Sequence, residues 1–257
     1  MIPLLYDPWF YAVSVPAVIL VGLSKGGFGG GVGFVGVPLM SLVMSPLQAA
    51  AILLPILILM DITSVWTWRG VYDRRTLADM LPGAMAGIGI GWLTAAVVTV
   101  EMVRFIVGAV AVIFVLRWLV QQLRHGPTHA TRRNPVMALF WGTVAGFTSF
   151  VAHVGGPPFQ IYALPLRLDP KIFTGTSAIF FALTNAIKLV PYFTLGQFDR
   201  TNLAASAILM PIAPLATVAG AWLVRRMRPE VFYPLTYATV GLLSLKLIYD
   251  GLVDLLG

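Results

Sequence analysis

A lysine stands inside a run of small residues, Gly22-Leu23-Ser24-Lys25-Gly26-Gly27-Phe28-Gly29-Gly30-Gly31, in the middle of an apolar stretch. A second interruption, Thr148-Ser149-Phe150-Val151-Ala152-His153-Val154-Gly155-Gly156-Pro157-Pro158, breaks another apolar stretch later in the chain. A charged Lys near the middle of a bilayer costs about 2.5–3.5 kcal/mol on insertion scales, and an ionisable residue there is functional by default. Lys25 lies too deep in its run to reach an interface. The neighbouring glycines allow close backbone approach and positive φ, and a helix restarting near Gly31 would aim free N–H groups at the same point. Pro157-Pro158 suits the first positions of a second helix. Two helix N-termini and one ammonium make a site for an anion. Its expected lining is Ser24, Lys25, Gly26, Gly27, Gly29, Gly30 and Gly31 from the first break. His153, Gly155, Gly156, Pro157 and Gln160 come from the second, with Lys25 as the principal charge.

Three further polar residues sit inside apolar helices: Asp61, Asn185 and Lys188. Asp61 reads either as a proton or cation site or as a structural partner of Lys25 or Lys188 that lowers the burial cost of both charges. His153 reads either as a proton-exchanging group or as a side chain that bonds freed backbone. Small-residue spacing also serves helix packing, which is the reading for Gly33 and Gly36.

The elements that must hold these residues are membrane helices. The chain is 58% hydrophobic and only 11% charged, with a mean hydropathy of +0.88, whereas soluble domains carry roughly 25% charged residues. Spans of about 20 apolar residues nearly tile it. Broken segment I covers 9–44, followed by spans near 47–66, 79–98 and 102–122. Broken segment II covers 135–166, followed by spans near 171–193, 203–224 and 231–249. Trp9, Phe10 and Tyr11 are expected at headgroup depth, in a lead-in that stays in the mature protein. The net charge of +7 arises from cations placed singly or in small groups between apolar runs, which is a topology signal and not a nucleic-acid surface. The absence of Cys excludes disulfides, thiolate catalysis and Cys-based metal sites. Neither a metal nor another cofactor is expected, and His125-Gly126-Pro127-Thr128-His129 reads as loop.

The halves repeat. Ser45-Pro46 answers Asp169-Pro170 at a shift of 124, and Asp61 answers Asn185 at the same shift. Gly70 to Leu77 answers Gly196 to Leu203, and Met80, Trp92 and Leu93 answer Met210, Trp222 and Leu223. The expected organisation is an N-terminal repeat over 1–124, a cytoplasmic basic linker over 125–134 and a C-terminal repeat over 135–257. The fold class is an all-α polytopic membrane protein in which each repeat has one broken or re-entrant segment plus three transmembrane helices. Clusters Arg69/Arg74/Arg75, Arg124/Arg132/Arg133 and Arg225/Arg226/Arg228 share the cytoplasmic side only if each broken segment enters and returns on one side. The repeats are then inverted, with both termini outside. Paired interruptions in such repeats point to a transporter's binding site.

Gly22-Leu23-Ser24-Lys25-Gly26-Gly27-Phe28-Gly29, followed by Val37-Pro38-Leu39, resembles the TauE/SafE sulfite exporter family (TSUP). So does Gly155-Gly156-Pro157-Pro158-Phe159-Gln160-Ile161-Tyr162. The resemblance implies a carrier in the bacterial inner membrane for sulfite, sulfonates or related organosulfur anions, usually moving them outward. Its partners would be a small anion and the lipid bilayer. Two other classes fit the residues: an anion channel, and an intramembrane enzyme using Ser24, Lys25 or His153. G-x-S-x-G over Gly22 to Gly26 lacks the strand-to-helix turn of a nucleophile elbow, so a transporter and not an enzyme is expected.

Overall fold

The computed structural model describes residues 3–27, 35–94, 97–125, 130–194 and 200–256, and they form an all-helical bundle. After a short α1 (Pro3–Tyr6) come α2 (Pro8–Gly27), α3 (Gly36–Met40), α4 (Pro46–Thr67), α5 (Arg74–Thr94) and α6 (Val100–His125). The second half holds α7 (Pro135–Ala152), α8 (Gly156–Ala163) with a 3-10 turn over Leu164–Leu166, α9 (Pro170–Thr194), α10 (Arg200–Leu209), α11 (Ile212–Arg226) and α12 (Pro229–Leu256). Among the described residues, five helices are long and apolar enough to cross a membrane, or six with the bent pair α10–α11 counted as one span.

The helix starts follow from local chemistry. Ser45 accepts from Gln48 N at 3.2 Å ahead of Pro46, and Asp169 accepts from Lys171 N at 2.9 Å ahead of Pro170. Both are N-caps followed by a residue with no N–H to waste. Asn134 does the same for α7, accepting from Val136 N and Met137 N. One expectation needs correction. The span at 203–224 is two helices bent by 44° at Met210-Pro211. Proline removes a donor and clashes with the preceding turn, and hydropathy does not register this. Phe10 is fully buried in an apolar cluster with Met40, Ala49 and Met60; of the aromatic trio, Trp9 is the one left 69% exposed.

Packing is heaviest between α5 and α7, α2 and α11, and α6 and α12. Several of these pairs correspond when the halves are exchanged. The α2–α11 pair answers α7–α5, α4–α11 answers α9–α5, and α4–α9 and α6–α12 each answer themselves. The close pairs rest on small residues. A Cβ on Gly142 would stand 2.2 Å from Met80 O, and one on Gly26 would stand 1.8 Å from Thr217 O. Backbone therefore meets backbone across both seams.

The three arginine clusters gather at one end of the bundle. Arg225 Nη2 donates to Thr67 O at 2.6 Å, capping the last turn of α4. Arg133 Nη1 donates to Asp73 Oδ2 at 2.5 Å, and Thr76 N donates to the same oxygen at 3.1 Å. Burial acts to raise the Asp73 carboxyl, but these bonds outweigh it and hold Asp73 below its ordinary value. Thr131 N donates to Pro165 O at 2.9 Å, so the chain entering α7 and the chain leaving α8 lie together at that end.

Candidate functional site

The described part of α2 ends at Gly27, inside protein. Side chains of α4 and α9, and of Trp68 just past α4, donate to the carbonyls of its last three described residues. Ser64 Oγ donates to Lys25 O at 3.4 Å, Trp68 Nε1 to Gly26 O at 2.8 Å and Thr174 Oγ1 to Gly27 O at 2.8 Å. Backbone polar groups at membrane depth are tolerated where protein supplies partners of this kind. Gly26 and Gly27 remain helical and face α11 at backbone contact distance. Their small size serves packing here; neither adopts a positive φ.

The second break turns on a different residue. His153 closes α7 in the left-handed region, at φ 57°, with its backbone N–H donating to Thr148 O. Glycine usually takes this position, and a side chain there costs roughly 1–2 kcal/mol. Thr148 Oγ1 stitches the turn by donating to Val154 O at 3.1 Å. Gly155 has φ −73°, so its φ suits any residue. What excludes a side chain is Ser149 Cβ, 2.7 Å from where its Cβ would lie. α8 then starts at Gly156 with Pro157 and Pro158 in its first turn, as expected from the sequence. The two prolines remove two of the first-turn donors. The amides of Gly155 and Gly156 and the helix dipole remain.

Between the breaks lies a chamber of about 50 Å³ lined by Lys25, Ser149, His153, Gly155, Gly156, Asn185 and Lys188, with Val37, Leu53, Leu57 and Phe181 completing the wall. Lys25 Nζ forms a salt bridge with Asp61 Oδ1, and Asn185 Nδ2 donates to Asp61 Oδ2 at 2.6 Å. The two repeat-equivalent residues of α4 and α9 thus bond each other. Lys188 Nζ donates to Ser149 O at 3.1 Å and Ser149 Oγ at 3.0 Å. All five polar side chains are buried, Lys188 to 1% exposure. A larger groove of about 470 Å³ lies between α4 and α9, lined by Ile58, Ile62, Val65, Trp66 and Leu189, and reaches Arg69. Asn185 lines both spaces, and Asp61 lines the groove while its partner Lys25 lines the chamber. These three side chains form the partition between them.

The family model for Sulfite exporter TauE/SafE matches residues 14–247. The chain belongs to the TauE/SafE family. It is a multi-pass membrane protein of a family of sulfite exporters. No curated protein and no solved structure matches the chain.

In this TauE/SafE protein the chamber unites Lys25, His153, Gly155 and Gly156 with Asn185 and Lys188. Ser24, Pro157 and Gln160 are buried beside it without lining it. Gly29, Gly30 and Gly31 lie outside the described residues, as do Gly33 and positions 126–129. Gly36 packs on Val21 and Leu53. Among the described residues no cluster of His, Asp and Glu could hold a metal. Sequence reasoning missed Ser149, Ser64, Leu57 and Phe181 as members of the site. The repeat itself carries the signal: Ser149 stands 124 residues after Lys25, Lys188 stands 124 after Ser64, and Phe181 stands 124 after Leu57.

Proposed function

We propose that the protein carries a small sulfur-containing anion outward across the bacterial inner membrane by alternating access around this chamber. One observation carries the reading. Two buried lysines and one buried aspartate meet there, leaving a formal excess of one positive charge. An uncompensated buried charge costs several kcal/mol, and a bound monoanion offsets it. A water needs about 10–15 Å³ of such space, so a chamber of about 50 Å³ suits a compact oxyanion. A sulfonate with an organic tail would need the groove as well. Closure of the chamber by an ion pair favours a carrier over an open channel. The test is counterflow in proteoliposomes loaded with sulfite, sulfate or taurine. Saturable exchange of external labelled sulfite against internal sulfite is expected, and flux unaffected by internal anion would replace the carrier with a channel.

The orientation we propose has inverted repeats, the arginine-rich end in the cytoplasm and both termini outside. Proximity of Arg225 to Thr67 and of Arg133 to Asp73 supports it. Because the chain has no Cys, single cysteines report on sidedness without background. Arg75→Cys and Ala130→Cys should label from the cytoplasm, and Asp7→Cys and Asp199→Cys from outside. Labelling of positions 75 and 199 from one side would exclude inverted repeats.

A further inference from the structure

We infer that Lys188, and not Lys25, is the cation that holds the anion, with Lys25 committed to Asp61. The inference rests on the carrier reading for what the anion does, and on geometry for where it binds. Each lysine is tied to a break, but in opposite senses. In the first half the break carries Lys25, and the adjacent α4 offers Ser64, whose hydroxyl donates to Lys25 O. In the second half the break carries Ser149 at the position equivalent to Lys25, and α9 offers Lys188 at the position equivalent to Ser64. Lys188 Nζ donates to Ser149 O, repeating the Ser64 bond with an ammonium in place of a hydroxyl. The repeat thus places two lysines around one chamber at exchanged positions.

Only one carboxylate joins them. Asp61 takes Lys25 as its salt-bridge partner. Among the described residues no carboxylate lies within salt-bridge distance of Lys188, whose acceptors are the neutral carbonyl and hydroxyl of Ser149. An ammonium has three donors, so one remains for the chamber that Lys188 lines. The amides of Gly155 and Gly156 border the same space, at the start of α8. The chamber's net attraction for an anion therefore centres on Lys188. The Lys25–Asp61 pair is close to neutral and stands in the partition.

Charge arithmetic separates the two lysines. Lys188→Met leaves the chamber with no formal charge, whereas Lys25→Met combined with Asp61→Asn keeps the excess of one. Lys188→Ser restores the hydroxyl found at the equivalent Ser64 and so retains a backbone cap while removing the charge. Binding of sulfite, nitrate and bromide to the full chain in detergent is read by anion-dependent thermal stabilisation, after size-exclusion shows each variant to be monodisperse. Sulfite exchange is then read in proteoliposomes.

The expected result is at least a tenfold loss of anion affinity in Lys188→Met and Lys188→Ser, with the Lys25→Met/Asp61→Asn protein within about threefold of the parent. Retained binding in Lys188→Ser would reduce Lys188 to a helix cap and overturn the inference. Equal losses in the Lys188 variants and the double variant would also overturn it, as would a parent protein that no anion stabilises. The expected binding pattern without sulfite exchange would leave the Lys188 site standing and sink the carrier reading instead.

Discussion

Lys25→Met alone should destabilise the protein by about 3–5 kcal/mol, and adding Asp61→Asn should return most of that loss. The substitution keeps bulk and helix propensity, so the loss comes from charge. It strands the Asp61 carboxylate, 5% exposed, with the Asn185 amide donating to it at 2.6 Å. A single neutral hydrogen bond is worth about 1 kcal/mol net, far short of the cost of an unpaired buried carboxylate. Asp61→Asn removes that carboxylate while leaving an amide oxygen to accept from Asn185 Nδ2. Replacing both members of a buried pair is commonly near neutral, whereas removing one is severe. Asp61→Asn alone should therefore also destabilise, by stranding Lys25. Thermal or denaturant unfolding of the four proteins gives the double-mutant cycle. Losses that simply add would mean that Lys25 and Asp61 do not pair in the membrane protein, and would remove the partition between chamber and groove.

Much of this arrangement was legible in the sequence because each element has a local cause. Asp169-Pro170 and Ser45-Pro46 are capping signals wherever they occur, and both start helices here. Lys25, one of the two partners read for the Asp61 carboxylate, stands in salt-bridge contact with it. The glycines were less transparent. Closeness to a ligand and closeness to another helix both require a missing Cβ, so Gly26 and Gly27 carry the same signal for either. Their close neighbours lie on α11, nearly 200 residues away in sequence, so the packing contact is invisible locally. Pro82 lies inside an unbroken α5 while Pro211 starts a new helix at the bend. The difference comes from the tertiary surroundings, which override propensity. His153 in the left-handed region could not be read at all, since the residues favoured there are Gly and Asn.

The seam between α2 and α11 should tolerate almost no added bulk. Gly26→Ala places a methyl where Thr217 O stands 1.8 Å away and Ala221 N 3.1 Å away, and both are backbone atoms of a helix. Neither can rotate aside, so the helices must separate. Overpacking of this kind costs about 1–3 kcal/mol, occasionally more, and the 1.8 Å approach puts Gly26 at the upper end. Separation also shifts Lys25, one residue earlier, against Ser64 and Asp61, which hold it from α4. Gly89→Ala on α5 is the control: no atom outside its own helix lies within 4 Å of the added methyl. Removing a helix-interior glycine there should stabilise by about 0.5–1 kcal/mol. The two substitutions are chemically identical and should differ in sign, measured as unfolding of the detergent-purified protein. If Gly26→Ala unfolds at the parent's midpoint, α2 and α11 do not meet backbone to backbone.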